Sequence, residues 1–240
     1  MSPCYINQGE LTKMLLKKTL YTVAIPIGNF NDFTLRALET LKHADLVIGE
    51  ERSTTERVLK RLGIENKEIA ILNEHNETKN AKELFHYIIE KDYSVALISE
   101  AGTPCIADPG AVLVNLFHEF NLRIVPIPGV SSITTALMVA GLTKGSYKYI
   151  GFLSPNKEMR RKELKLLSHE KLPCVILEAP YRMKQILSDI MDICGKNKQI
   201  LFAYKLTQPE EFIIKSDIST IVLKTKVLKK GEFVLVLYNL

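Results

Sequence analysis

Val95-Ala96-Leu97-Ile98-Ser99-Glu100-Ala101-Gly102-Thr103-Pro104-Cys105-Ile106-Ala107-Asp108-Pro109-Gly110 is the stretch on which the reading of the fold turns. Its four leading apolar residues read as a buried strand, and Ala111-Val112-Leu113-Val114-Asn115-Leu116-Phe117 behind it fits a buried helix. Between them lie small residues, two prolines and two carboxylates. A strand end that opens into a helix start is a βα connection, and in an open α/β sheet the carboxyl-end loops are where ligands bind. A tight connection with no further role would use the same residue types.

Outward from this loop the pattern repeats. Leu20-Tyr21-Thr22-Val23-Ala24-Ile25 is a first strand, uniformly apolar as a strand buried on both faces must be, stopped by Pro26-Ile27-Gly28-Asn29. Thr34–Leu41 is a short amphipathic helix, Asp45–Gly49 a second strand, and Ser53 or Thr54 can cap a helix carrying Val58, Leu59 and Leu62. Ile69–Leu72 is a third strand, followed by a helix to about Glu90, and Asn121–Pro126 is a fifth. After a Pro128-Gly129 turn and a helix over 133–140 come a strand near 148–152, a basic helix from about Lys157, a strand at 174–177 and a helix from about Arg182. A closing run of strands follows at 199–205, about 211–215 and 232–238. The expected class is α/β in two domains: a tail over 1–19, a mainly parallel sheet over 20–127, and a mixed sheet over 128–240, where strands succeed one another without helices.

The 240 residues, 46% hydrophobic and 25% charged, suffice for substantial cores. No apolar run reaches membrane-spanning length and no secretory leader is apparent, so a cytoplasmic protein with no membrane partner is expected. Cys4, Cys105, Cys174 and Cys194 are widely spaced and the five histidines show no ligand spacing, so free thiols and no metal are expected. The net charge of +5 is unevenly shared: residues 1–128 carry −3 and residues 129–240 carry +8. Basic clusters at Lys157, Arg160, Arg161, Lys162 and Lys165, and at Lys224, Lys226, Lys229 and Lys230, suit a polyanion such as RNA, or simply a solvated helix face and a basic turn.

Several strand ends carry small or turn-forming residues, which let a flat nucleoside-like ligand lie against backbone N–H and C=O groups. No GxGxxG follows the first strand and no GxxxxGK[ST] occurs, which disfavours hydride chemistry and NTP hydrolysis. Leu20–Asn29, Thr34–Leu38, Glu74-His75-Asn76-Glu77, Ser99–Gly110, Pro126–Ser131, Gly151-Phe152-Leu153, Glu178-Ala179-Pro180-Tyr181-Arg182 and Lys230-Gly231-Glu232 fall in an order that resembles the ribosomal RNA small subunit methyltransferase I family of the tetrapyrrole methylase superfamily.

That resemblance implies a homodimer of two-domain α/β subunits, S-adenosyl-L-methionine in a cleft between domains, and methylation of a cytidine ribose 2′-hydroxyl in 16S rRNA of the small ribosomal subunit. Carried over by position, it implies cofactor contacts at Pro26, Ser99, Ala101, Gly102, Thr103, Ile106, Ser131, Ser132, Ala179 and Pro180. Ser131 and Ser132 could equally cap a helix. A hydroxyl must lose its proton on methylation, and Glu100 and Asp108 are the candidate bases; Asp108 could instead cap the helix beginning near Gly110. Arg160, Arg161 and Lys162 are the candidate RNA contacts. The chain departs from the family pattern at Glu50-Glu51-Arg52-Ser53 and at Tyr204-Lys205-Leu206-Thr207-Gln208, which leaves two other readings open: a methyltransferase for a tetrapyrrole or other small acidic substrate, and a non-catalytic RNA-binding homologue.

Overall fold

The computed structural model describes residues 15–75, 77–143 and 145–239, and the chain divides into two units between Ser131 and Ser132. The expected tail lies outside the described residues up to position 14; Thr19 already belongs to the first strand.

The first unit runs β1 (Thr19–Val23), α1 (Leu35–His43), β2 (Leu46–Gly49), α2 (Arg52–Arg61), β3 (Glu68–Ile71), α3 (Glu77–Lys91), β4 (Ser94–Leu97), α4 (Ala111–Glu119) and β5 (Arg123–Ile127). All ladders are parallel and the strand order is β3-β2-β4-β1-β5. Both faces are covered. Tyr21, Val23, Val47, Ala96 and Ile98 pack into one cluster with Leu41 and Leu59, while Leu20, Leu46, Ile48, Val95 and Leu97 pack into another with Phe85 and Phe117. Strands buried on both sides have no polar face to alternate with, which is why they read as unbroken apolar runs. Strand β4 lies between β2 and β1, so the loops leaving β1, β2 and β4 emerge side by side at the carboxyl edge.

Helix α1 starts as the sequence suggests, with Thr34 accepting from the Ala37 N–H. Helix α2 does not: it opens at Arg52 after Glu51 with no side-chain cap, so Ser53 and Thr54 lie inside its first turn. Thr55, one position on, faces the sheet. A Cβ built on Gly49 would stand 2.0 Å from the Thr55 Oγ1, so only glycine fits where β2 meets α2.

The second unit contains α5 (Ser132–Ala140), β6 (Lys148–Phe152), α6 (Lys157–Ser168), β7 (Cys174–Glu178), α7 (Met183–Cys194), β8 (Gln199–Tyr204), β9 (Phe212–Asp217), α8 (Ile218–Thr225) and β10 (Phe233–Leu237). Its sheet has the order β6-β7-β10-β8-β9, with β6 and β7 parallel and the remaining pairs antiparallel. The closing run of strands is therefore interrupted, contrary to the sequence expectation, by α8. Its residues Ile218, Thr220, Ile221 and Val222 are β-branched and locally favour a strand, but Asp217 accepts from the Thr220 N–H as an N-cap and Ile218 and Ile221 are fully buried. Packing and a cap outweigh local preference here.

Gly49→Ala is expected to destabilise the protein by about 2 kcal/mol or more through overpacking. Adding Thr55→Ala should recover part of that loss in urea unfolding, because the clashing hydroxyl is removed.

Candidate active site

The loop after β4 is tied down by backbone. Gly102 donates to the Ile25 carbonyl (3.0 Å) and accepts from the Ile25 N–H (2.8 Å), an antiparallel bridge between the loops leaving β4 and β1. The Thr103 hydroxyl donates to the Val130 carbonyl at 3.0 Å, which joins the loop leaving β5. Gly102, with φ of 81°, adopts a conformation that glycine permits without strain, and Cys105 and Ala107 hold positive φ without being glycine. Pro26, Ser99, Ala101, Gly102, Thr103 and Ser131 thus belong to three loops of the first unit, two of them bonded directly to the loop after β4. Ile106 lies exposed in that same loop. Ser132, Ala179 and Pro180 belong to the second unit.

Asp108 does not cap α4. Glu77, from the start of α3, takes that role: its Oε1 accepts from the N–H groups of Gly110 (2.8 Å) and Val112 (3.0 Å). This cap comes from 33 residues away, beyond the reach of a local sequence signature. Asp108 is left near Ser99, whose hydroxyl donates to the Ala101 carbonyl at 3.1 Å, and within electrostatic reach of two other carboxyls.

Those carboxyls are Glu50, at the end of β2, and Glu100. Burial, then the charges of Asp108 and Glu100, push the Glu50 carboxyl up to about 7, with the Glu100 backbone N–H opposing. Its Oε1 is buried without a hydrogen-bond partner among the described residues. Asp108 is pushed up to about 6, chiefly by burial, with the Ser99 hydroxyl opposing and Glu100 adding. Glu100 is raised by burial and by Glu51, with Arg57 opposing. Cys105 is pushed up to about 11 by burial and by Glu77 and Asp108, so its thiol stays protonated and unreactive at neutral pH. Carboxyls within one another's electrostatic reach resist ionising together, which favours a bound proton or a cation at this edge. Glu50 is the member that the sequence alone did not single out: it joins the others only because β2 and β4 are neighbours.

In the second unit, Ala179 and Pro180 sit in a braced loop. The buried Glu178 accepts from the Ala179 N–H (2.8 Å) and pairs with Arg182 (3.0 Å). Arg182 donates to the carbonyls of Leu153 (3.2 Å) and Ser154 (2.7 Å).

The basic cluster on α6 is divided. Arg160 is 0% exposed; its Nε and Nη2 donate to Asp189 (2.9 and 2.7 Å) and its Nη1 to the carbonyls of Ser154 and Pro155. This corrects the reading of Arg160 as an RNA contact, because a guanidinium with no accessible surface cannot meet a phosphate. Arg161 is half-buried and held by Asp189 (2.8 Å) and Asp192 (3.4 Å), while Lys162 is exposed. The helix turns position 160 toward α7, so a run that reads as one solvated face straddles an interior one.

Residues 19–222 match the family described as Tetrapyrrole (Corrin/Porphyrin) Methylases. The chain is similar to "Ribosomal RNA small subunit methyltransferase I" of Halalkalibacterium halodurans, 36% identical over 221 residues that make up 92% of this chain and 75% of that protein. It is similar to the protein of the same name from Escherichia coli O157:H7, 36% identical over 220 residues, 90% of this chain and 76% of that one. Among solved structures, diphthine synthase superposes with a TM-score of 0.72 at 16% identity over 92% of this chain and 90% of that chain. Cobalt precorrin-4 methyltransferase superposes at 0.64 with 16% identity over 98% of each. At such identities these two likenesses concern the fold. Among the described residues, no helix is long and apolar enough to cross a membrane.

A carboxyl raised in the folded state binds its proton more tightly there than when unfolded, so its contribution to stability is full below the ordinary range and is lost as pH rises through about 7 for Glu50. Glu50→Gln should therefore raise the stability at pH 8, by about 1–2 kcal/mol after solvent screening, and change it far less at pH 4.5. Thermal melts of both proteins across this range provide the check; a pH-independent difference would contradict the burial of this charge.

Proposed function

We propose, for a chain that belongs to the tetrapyrrole (corrin/porphyrin) methylase family, that it transfers the methyl group of S-adenosylmethionine to the ribose 2′-hydroxyl of a cytidine in 16S rRNA. What carries this reading is the similarity over about nine-tenths of the chain to relatives named ribosomal RNA small subunit methyltransferase I. The same reading takes the small ribosomal subunit as partner, two copies of the chain as the working assembly, and the cytoplasm as the place of action.

The first unit's loops suit a cationic, nucleoside-bearing methyl donor. Gly102 and Gly129 bring backbone close, Ser99 and Thr103 supply hydroxyls, and the carboxyls of Glu50, Glu100 and Asp108 provide the negative field that a sulfonium prefers. The orphaned Oε1 of Glu50 is a buried acceptor ready for a donor. Pro26, Ser99, Ala101, Gly102, Thr103, Ile106 and Ser131 would hold the cofactor from this unit. When bound, the cofactor supplies an electrophilic methyl group.

The chain's own work is alignment and removal of one proton. The bridged loops fix the line of approach, since an in-line displacement is sensitive to small misplacements. As the ribose oxygen gains the methyl group, its proton passes to a carboxylate, either Asp108 or Glu100, directly or through water, and then to solvent. Asp108 is the better placed of the two. It is more deeply buried, and its raised proton affinity makes it a stronger base than an ordinary aspartate while leaving it ionised above pH 6.

Methyl transfer to small ribosomal subunits should rise with pH through about 6 in the unaltered protein. Asp108→Asn should lose this limb and about 10²–10⁴ in rate, and Glu100→Gln should lose less. Mass-spectrometric mapping of 16S rRNA reads the product directly. Full turnover in both variants would remove the base assignment, and no new ribose methyl with the unaltered protein would remove the function.

A further inference from the structure

The second unit spends two buried arginines on one tripeptide. Arg182 donates to the carbonyls of Leu153 and Ser154, Arg160 to those of Ser154 and Pro155, and the Glu163 carboxylate accepts from the Ser154 N–H at 2.8 Å. Each guanidinium is neutralised, Arg160 by Asp189 and Arg182 by Glu178. Buried ion pairs are seldom the cheapest route to stability, because desolvation offsets much of their attraction. What these secure is a geometry: the path of residues 153–155 relative to the ends of β6 and β7.

The side chains that this brace presents are apolar and face water. Phe152 is 53% exposed, Tyr181 69% and Met159 52%. Phe152 and Tyr181 each adjoin in sequence one partner of the Arg182–Leu153 hydrogen bond, and Phe152 sits opposite Leu177 in the β6–β7 ladder, so both residues lie next to the same pair of strand ends. Met159 stands in the first turn of α6, next to Arg160. Around them Lys157, Lys162 and Lys184 are exposed, and none has an acidic partner within salt-bridge distance among the described residues. This contrasts with Arg160 and Arg161 in the same sequence cluster, which are paired. Exposed aromatic side chains on a braced backbone, with lysines that lack an acidic partner on a unit of net charge +8, match an unstacked base with its flanking phosphates.

We propose that Phe152 and Tyr181 form a stacking platform for an unpaired nucleobase of the RNA substrate, with Lys157, Lys162 and Lys184 meeting the neighbouring phosphates. The proposal rests on the RNA methylation reading above and adds where the single strand is gripped. Fixing beforehand the backbone that carries the rings spares part of the ordering cost on binding. Arg182 and Arg160 are positioning residues in this scheme, acting through the backbone of residues 153–155.

The test uses the full chain, a short fluorescein-labelled single-stranded oligoribonucleotide containing cytidine, and S-adenosylmethionine in parallel calorimetry. Phe152→Ala and Tyr181→Ala should each weaken oligoribonucleotide binding about tenfold, with S-adenosylmethionine affinity and the salt dependence unchanged. Phe152→Tyr and Tyr181→Phe should retain binding, since a ring face remains. Replacing Lys157, Lys162 and Lys184 together by Gln should flatten the log K against log salt slope by about 2. Several outcomes overturn the platform: alanine variants that bind RNA as the parent does, leucine variants that restore binding as well as aromatic ones, or loss that falls on S-adenosylmethionine. A parent chain that takes up S-adenosylmethionine yet binds no RNA overturns the RNA reading together with the platform, whereas a parent that methylates rRNA with both alanine variants unaffected overturns the platform alone.

Discussion

Insertion of β4 between β2 and β1 governs the first unit. The register Leu46↔Val95 on one side and Leu20↔Val95 on the other makes β4 a central strand, hydrogen-bonded along both edges and packed on both faces. At its start Ser94 is held by Asp45, which accepts from both the Ser94 N–H and hydroxyl at 2.7 Å. Burial alone would raise the Asp45 carboxyl, but these bonds and Lys17 keep it below its ordinary value. At the other end, parallel pairing delivers three chain segments to one edge, and the Ile25–Gly102 bridge stitches two of them together. Everything chemical about this unit follows from which loops that edge collects.

Electrostatics then separates the two units by task. The first gathers Glu50, Glu100 and Asp108 where burial raises their proton affinity, an environment that suits a cationic cofactor and a proton-accepting carboxylate. The second carries the net positive charge, but much of it is internal: Arg160 and Arg182 serve backbone carbonyls, and Lys215 donates to the Ala140 carbonyl at 3.1 Å. Only exposed cations without an acidic neighbour remain free to meet a polyanion. Counting basic residues therefore overstates the binding surface and misplaces it, since an arginine with five donors is as well suited to bracing a turn as to holding phosphate.

The braced turns share a design. Asp108 is relieved of helix capping by Glu77, and Ala179-Pro180 is set by Glu178 and Arg182, so in both units a distant or adjacent carboxylate satisfies backbone groups that would otherwise compete for the residues of interest. A loop held by such side chains keeps its shape without a ligand, which is the condition for alignment-dependent chemistry.

Most of the element order is legible in short runs of residues. Apolar runs mark β1, β2 and β4 because a strand buried on both faces has no polar alternation, and Thr34 stands at the start of α1, where its side chain accepts locally. Where the deciding contact is distant in sequence, the reading failed or was silent. Helix α8 is written in β-branched residues and is helical because Ile218 and Ile221 are buried; Arg160 reads as surface and is interior because Asp189 lies across from it; Glu50 becomes part of the acidic edge because β2 and β4 are neighbours. Periodicity and caps report on a few residues at a time. Strand order, partner choice and the proton affinity of a carboxyl depend on what the rest of the chain brings alongside, and only the tertiary structure decides that.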